Sequence, residues 1–191
     1  MSLPLLVELP PSLIPLAERA EQSLQTALAE HQALAERVAA WPQERRNAWR
    51  QVSALSDFVA EQAQRDPQMF VALAESGELE RSLASGELRQ QLEAQLAECA
   101  DEDALGRCLR RFRNRQQLRI IWRDFSRQAA LGETCRDLSD LADACIDLAY
   151  HWLYPRHCAQ FGTPVGRRSG QPQHMVILGM GKLGAHELNL S

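Results

Sequence analysis

Three glycines and a lysine that follow an apolar run are the residues of this chain best suited to chemistry. In HMVILGMGKLGAHELNLS (residues 174–191), Met175, Val176, Ile177 and Leu178 form a short branched run with the pattern of a buried strand, and Gly179, Gly181 and Gly184 break it. Glycine removes the side chain that would keep a phosphate from backbone N–H groups, and Lys182 supplies a positive charge of suitable reach. Phosphate binding is the chemistry this spacing offers. The same Gly-x-Gly-x-x-Gly letters also serve a dinucleotide-binding turn, a nucleotidyltransferase loop or a plain strand-to-helix turn. A Walker A loop is excluded, because no Gly-x-x-x-x-Gly-Lys-Ser/Thr spacing surrounds Lys182. The dinucleotide turn calls for an acidic residue about 20 positions further on, past Ser191.

A strand and a loop need a scaffold, and the preceding sequence reads as helices. Leu16, Ala20, Leu24, Leu28, Leu34 and Val38 predict one long amphipathic helix over residues 12–40, broken by Trp41 and Pro42. A second helix is expected over residues 43–64, with Trp49, Val52, Leu55, Val59 and Ala63 on one stripe. Asp66 and Pro67 are an N-cap and first helical residue for a short helix through Phe70 and Leu73, which Gly77 ends. Helices follow over residues 87–99, 105–128 and 133–159, and Pro155 is expected to kink or shorten the last. Trp49 and Trp122 are expected to be buried. Residues 162–172 (GTPVGRRSGQP) are loop by composition. The organisation is thus a helical region over residues 1–161, a linker at 162–173 and the start of an α/β unit at 174–191. The first 15 residues, MSLPLLVELPPSLIP, lack a positive leader and carry Glu8 and four prolines, among them Pro4, so they do not read as a signal peptide.

The helix over residues 105–128 carries eight arginines against one acid, and Arg107, Arg111, Arg115, Arg119, Arg123 and Arg127 recur every four residues. Like charges at that spacing repel unless an anion answers them. Pairing with the chain's own acidic residues is the plain reading of the stripe over residues 107–127; docking of a partner or a phosphate is the sharper one. Nucleic acid is set aside, because no stacking aromatics interleave on that face and the chain carries 21 Lys and Arg against 25 Asp and Glu. Five cysteines without a Cys-x-x-Cys pair read as reduced and structural. His151, His157 and Cys158 lack a carboxylate at matching spacing and are not taken as a metal site. With no apolar run long enough for a membrane span, the cytoplasm is the expected compartment.

The segment LGMGKLG (residues 178–184) followed by ELNLS (187–191) resembles the bifunctional glutamine synthetase adenylyltransferase/adenylyl-removing enzyme family. LSDF at residues 55–58, Asp66 with Pro67, residues 109–122 and 147–154, and Gly162, Thr163 and Pro164 extend the resemblance back to about residue 52. Residues 1–50 have no counterpart in it. The chain departs at Ala185 and His186, where the family usually has a glycine first, and at Pro155. The resemblance implies a mainly α chain: a helical domain followed by the first strand and glycine loop of a truncated polymerase-β-type nucleotidyltransferase domain. It implies the adenylyl-removing half, in which phosphate attacks an adenylylated tyrosine of glutamine synthetase and releases ADP, while the other half attaches AMP from ATP. Gly179, Gly181, Lys182 and Gly184 would bind the phosphate or nucleotide, and Ser191 would lead into a Ser-Asp-x-Asp segment whose aspartates hold Mg2+. This chain alone is then expected to be inactive. Glutamine synthetase and the signalling protein PII are the implied partners, in the regulation of nitrogen assimilation. The competing classes are the start of a Rossmann-type oxidoreductase and a helical interaction module without chemistry.

Overall fold

The computed structural model describes residues 8–190, so Pro4 of the leading segment and Ser191 lie outside the described residues. The chain divides into two compact units, one of residues 8–83, 114–134 and 190, the other of residues 84–113 and 135–189.

The first unit is built from α1 (Ile14–Leu28), α2 (Gln32–Ala39), α3 (Gln43–Leu55), α4 (Asp57–Arg65), α5 (Pro67–Glu75) and the second half of α7 (Glu102–Phe125). The single helix expected over residues 12–40 is two. From Leu28 to Leu34 is six residues, which on a straight helix would set Leu34 about 120° off the stripe. The break at residues 29–31 re-aims the chain, so that Leu34, Ala35 and Val38 pack against the core that Ala20, Leu24 and Leu28 already face. The helix expected over residues 43–64 is likewise divided at Ser56. Ser56 is extended (φ −142°, ψ 105°) and its hydroxyl accepts the Val59 N–H at 3.3 Å, an N-cap with Asp57 in the first turn. Leu55, placed on the buried stripe by spacing, is 43% exposed for that reason. Asp66 caps α5 as expected, accepting from Met69 N–H at 2.9 Å with Pro67 in the first turn, and Gly77 ends it at φ 78°.

Phe70 sits at the middle of this core with its ring 5.7 Å from Trp41, 5.0 Å from Trp49 and 6.2 Å from Trp122. Trp49 and Trp122 are both buried. Three arginines of the stripe, Arg115, Arg119 and Arg123, are paired internally here. Arg115 donates to both carboxylate oxygens of Glu78 (2.8 and 3.0 Å), and Arg119, fully buried, donates to the backbone carbonyls of Glu78 (3.2 Å) and Arg81 (3.0 Å). Arg123 donates to Glu133 at 2.8 Å and to the Leu79 carbonyl at 3.1 Å. The irregular stretch after α5 is therefore held by three guanidinium groups at successive turns of α7.

The hydrogen bond from Arg115 holds the Glu78 carboxyl below its ordinary value of 4.5, against the opposing effect of its burial. A depressed folded value contributes stability that is present above the unfolded value and is lost as pH falls through the folded one. Thermal melts of the chain should therefore lose stability on acidification below about pH 4.5, and Glu78→Gln should lessen that slope.

The second unit holds α6 (Glu87–Leu96), the first half of α7, most of α8 (Leu131–Phe161) and the short α9 (Gly181–Gly184). Leu88, Leu92 and Leu96 of α6, Leu105 and Phe112 of α7, and Leu141, Leu148 and Trp152 of α8 are buried. The expected early end at Pro155 does not occur, and α8 runs through it to Phe161. Proline deprives one carbonyl of its donor. One residue on, Arg156 donates to the Trp152 carbonyl at 2.9 Å and lays its guanidinium 3.5 Å from the Trp152 ring centroid. All five cysteines are free thiols, and the Cys108 thiol is pushed up to about 11 by burial first and by Cys99 next. Such a thiol is a poor nucleophile near neutrality.

No strand ladder forms among the described residues. The one β pairing among them is an isolated antiparallel bridge between Val165 and Pro172, and residues 173–180 continue as an irregular segment. A lone strand has no stability of its own without a neighbour. None of the described helices is long and apolar enough to cross a membrane.

Candidate functional site

The glycine segment of the second unit is a tight turn whose geometry requires its glycines unequally. Gly181 enters α9 at φ 59°, a left-handed conformation that other residues adopt only with strain. Gly184 packs directly on the backbone of Gly179: a Cβ at position 184 would lie 2.5 Å from the Gly179 carbonyl oxygen and 3.1 Å from its carbon. At Gly179 a Cβ would meet Leu183 Cγ at 3.3 Å. The turn closes with the Glu187 N–H donating to the Lys182 carbonyl (2.8 Å) and the His186 N–H to that of Leu183 (3.0 Å). This is the Schellman pairing, and it needs a left-handed residue at position 186. His186 fills that place at φ 55° although it is not glycine.

Lys182 lies on α9 with its Nζ donating to Asn189 Oδ1 at 2.8 Å. Glu187 closes the turn through its backbone N–H. The structure thus brings Gly179, Gly181, Lys182 and Gly184 into one compact turn. Leading into it, Met175, Val176, Leu178 and Met180 are 62%, 76%, 79% and 84% exposed, so an apolar run faces solvent there.

Beside the turn is a cavity of about 380 Å3, lined by Asp143, Asp147 and His151 of α8 and by Gly179, Met180 and Leu183 among others. Its α8 wall carries two carboxylates, Asp143 and Asp147. Asp147 pairs with Arg89 and with His151 (3.2 Å), and Asp143 lies 3.6 Å from His186. Lys182 does not line this cavity, so an anion would meet the lysine elsewhere on the turn. Among the described residues, no group of three or more His, Cys, Asp and Glu side chains is placed to hold a metal ion.

Sequence reasoning missed the two tyrosines that hold the approach to this turn. The Tyr150 hydroxyl accepts the Met175 N–H at 3.2 Å, and the Tyr154 hydroxyl donates to the Gln173 carbonyl at 2.8 Å. Their i, i+4 spacing on α8 was the available signal.

A mainly helical chain that ends in a glycine-lysine turn is the class of protein this fold defines. Residues 46–191 match the family glutamate-ammonia ligase adenylyltransferase, and the chain belongs to that family. The whole chain is 67% identical to the bifunctional glutamine synthetase adenylyltransferase/adenylyl-removing enzyme of Pseudomonas aeruginosa and 63% identical to that of Pseudomonas syringae pv. tomato. Over 94% of its length it is 43% identical to the enzyme of the same description from Shewanella oneidensis. The chain spans about a fifth of these relatives, 20%, 20% and 18% of their lengths respectively. The similarity includes residues 1–50, for which the sequence alone offered no counterpart. The oxidoreductase reading of the glycines is not favoured by this membership.

Proposed function

We propose that this chain is part of a glutamine synthetase adenylyltransferase/adenylyl-removing enzyme, and that it carries the helical region (residues 1–161), the linker (162–173) and the opening of the adenylyl-removing nucleotidyltransferase domain (174–191). The observation that carries this reading is family membership over residues 46–191 together with a glycine turn too tight for any side chain at position 184. In this reading phosphate attacks the adenylylated tyrosine of glutamine synthetase and ADP leaves. Gly179, Gly181 and Gly184 let the phosphate approach the backbone, and Lys182 supplies charge at the cost of its bond to Asn189. Chemistry of this kind asks chiefly for positioning and for stabilisation of spread negative charge. In this reading the residues that hold magnesium belong to a Ser-Asp-x-Asp segment following Ser191 in the longer enzyme. The chain by itself is then without activity. Residence in the cytoplasm and response to PII belong to the same reading.

Lys182 decides it. A hydrogen bond to a charged group contributes about 1.5–3 kcal/mol, which corresponds to roughly a tenfold to hundredfold effect. In the full-length enzyme that carries this chain, Lys182→Ala should lower kcat/KM for phosphate in adenylyl removal by about that factor, with the melting temperature unchanged. Full activity in the variant would remove the lysine from the site.

A further inference from the structure

We propose that Tyr150 and Tyr154, the only two tyrosines of the chain, are positioning residues that set the glycine turn by gripping the three residues that lead to it. The proposal rests on the phosphate reading of that turn.

The two side chains stand one helical turn apart on α8, with ring centroids 5.3 Å apart. Between them they engage residues 173, 174 and 175 in succession, by different means. Tyr154 Oη donates to the Gln173 carbonyl at 2.8 Å. The His174 ring lies on the Tyr154 ring, centroids 4.6 Å apart at 31°, and His174 Nδ1 is 3.2 Å from Tyr150 Oη. Tyr150 Oη also accepts the Met175 N–H at 3.2 Å. One hydroxyl can do both, since it has one proton to give His174 and lone pairs to receive from Met175.

The grip matters because the chain beyond residue 175 has few other holds. Val176, Leu178 and Met180 are mostly exposed, so packing does little to fix the path from Met175 to the turn. Three residues separate Met175 from Gly179, a reach of at most about 13 Å of chain. A displacement where the segment leaves α8 is carried to the glycines. The linker side is tied as well, with the Gln173 N–H donating to the Pro164 carbonyl at 2.8 Å, which makes residues 173–175 the point where linker, helix and approach to the turn are joined. Desolvation, followed by the Cys158 thiol, raises the Tyr154 hydroxyl above its ordinary value, so it remains a donor throughout the neutral range.

Phenylalanine at both positions keeps the rings and removes only the hydroxyls, and the test uses two readouts on the variant Tyr150→Phe/Tyr154→Phe. In this chain, hydrogen exchange of the Met175 amide should quicken by about tenfold, the size of effect expected for a lost hydrogen bond. In the full-length enzyme the KM for phosphate should rise by about tenfold while kcat stays within about twofold and the melting temperature holds. Unchanged exchange at Met175 would overturn the grip itself. Faster exchange with an unchanged KM would overturn the positioning role. If instead Lys182→Ala leaves the KM for phosphate unaltered while the tyrosine variant still quickens exchange, the phosphate reading fails and the grip stands as a tether alone.

Discussion

Gly184→Ala should abolish adenylyl removal in the full-length enzyme, with a loss in kcat/KM for phosphate beyond the hundredfold ceiling set for Lys182→Ala. The added Cβ would sit 2.5 Å from the Gly179 carbonyl oxygen and 3.1 Å from its carbon. Both are backbone atoms, with no rotamer to swing away, so the contact is relieved only by opening the turn. Opening it separates residue 179 from residue 184 and dissolves the arrangement that would bring backbone N–H groups to a phosphate. Gly181→Ala is the internal comparison. Position 181 has open space around its missing Cβ, and its cost is the left-handed φ of 59° alone, about 1–2 kcal/mol, so activity should fall about tenfold and no further. Helicity and melting of the rest of the chain should be unaffected by either change, because the turn lies among exposed residues and opens locally. Equal activity in Gly184→Ala and the unaltered enzyme would detach the turn from the reaction.

The features legible in the sequence were those set by local signals. Asp66 with Pro67 announced its helix because a cap and a first-turn proline act within one turn, and Gly77 ended that helix for the same reason. The two divided helices show where the periodic signal runs out. Residues 12–40 and 43–64 each kept an apolar rhythm across a break, because both sides of the break face one core; the irregular step from Leu28 to Leu34 and the Ser56-Asp57 pair were the only marks. Pro155 misled in the other direction: an intrinsic preference yielded to the packing of a long helix whose Leu148 and Trp152 are buried. In the candidate site, the glycines and the lysine were legible as letters, since close backbone approach is a property of residue type. The grip of Tyr150 and Tyr154 was not, since nothing in the spacing says that an extended segment some 20 residues later returns to their hydroxyls. The arginine stripe was legible as a charge problem, and the fold was needed to show that Glu78, Glu133 and backbone carbonyls answer Arg115, Arg119 and Arg123.

That solution carries the largest expected effect on stability in the first unit. Arg123 is 3% exposed, donates to Glu133 at 2.8 Å, to the Leu79 carbonyl at 3.1 Å and to Ser82 Oγ at 3.2 Å. Ser82 Oγ in turn donates to the second oxygen of Glu133 at 2.7 Å. The carboxylate therefore neutralises a guanidinium that water scarcely reaches, and it orients the hydroxyl that shares the guanidinium. Glu133→Ala leaves the buried charge without its counterion, a change that typically costs about 3–5 kcal/mol. The expected result is a fall in melting temperature of about 10 °C, taking roughly 2–4 °C per kcal/mol for a chain of this size. Arg123→Met in the same background removes the stranded charge and keeps much of the side-chain volume, so the double variant should recover part of the loss and melt above Glu133→Ala alone. The recovery stops short of full, because the Leu79 carbonyl and Ser82 lose a donor that methionine cannot replace. A double variant that melts below Glu133→Ala would show that the guanidinium is held mainly by its bonds to backbone and hydroxyl, and that Glu133 adds little to what they secure.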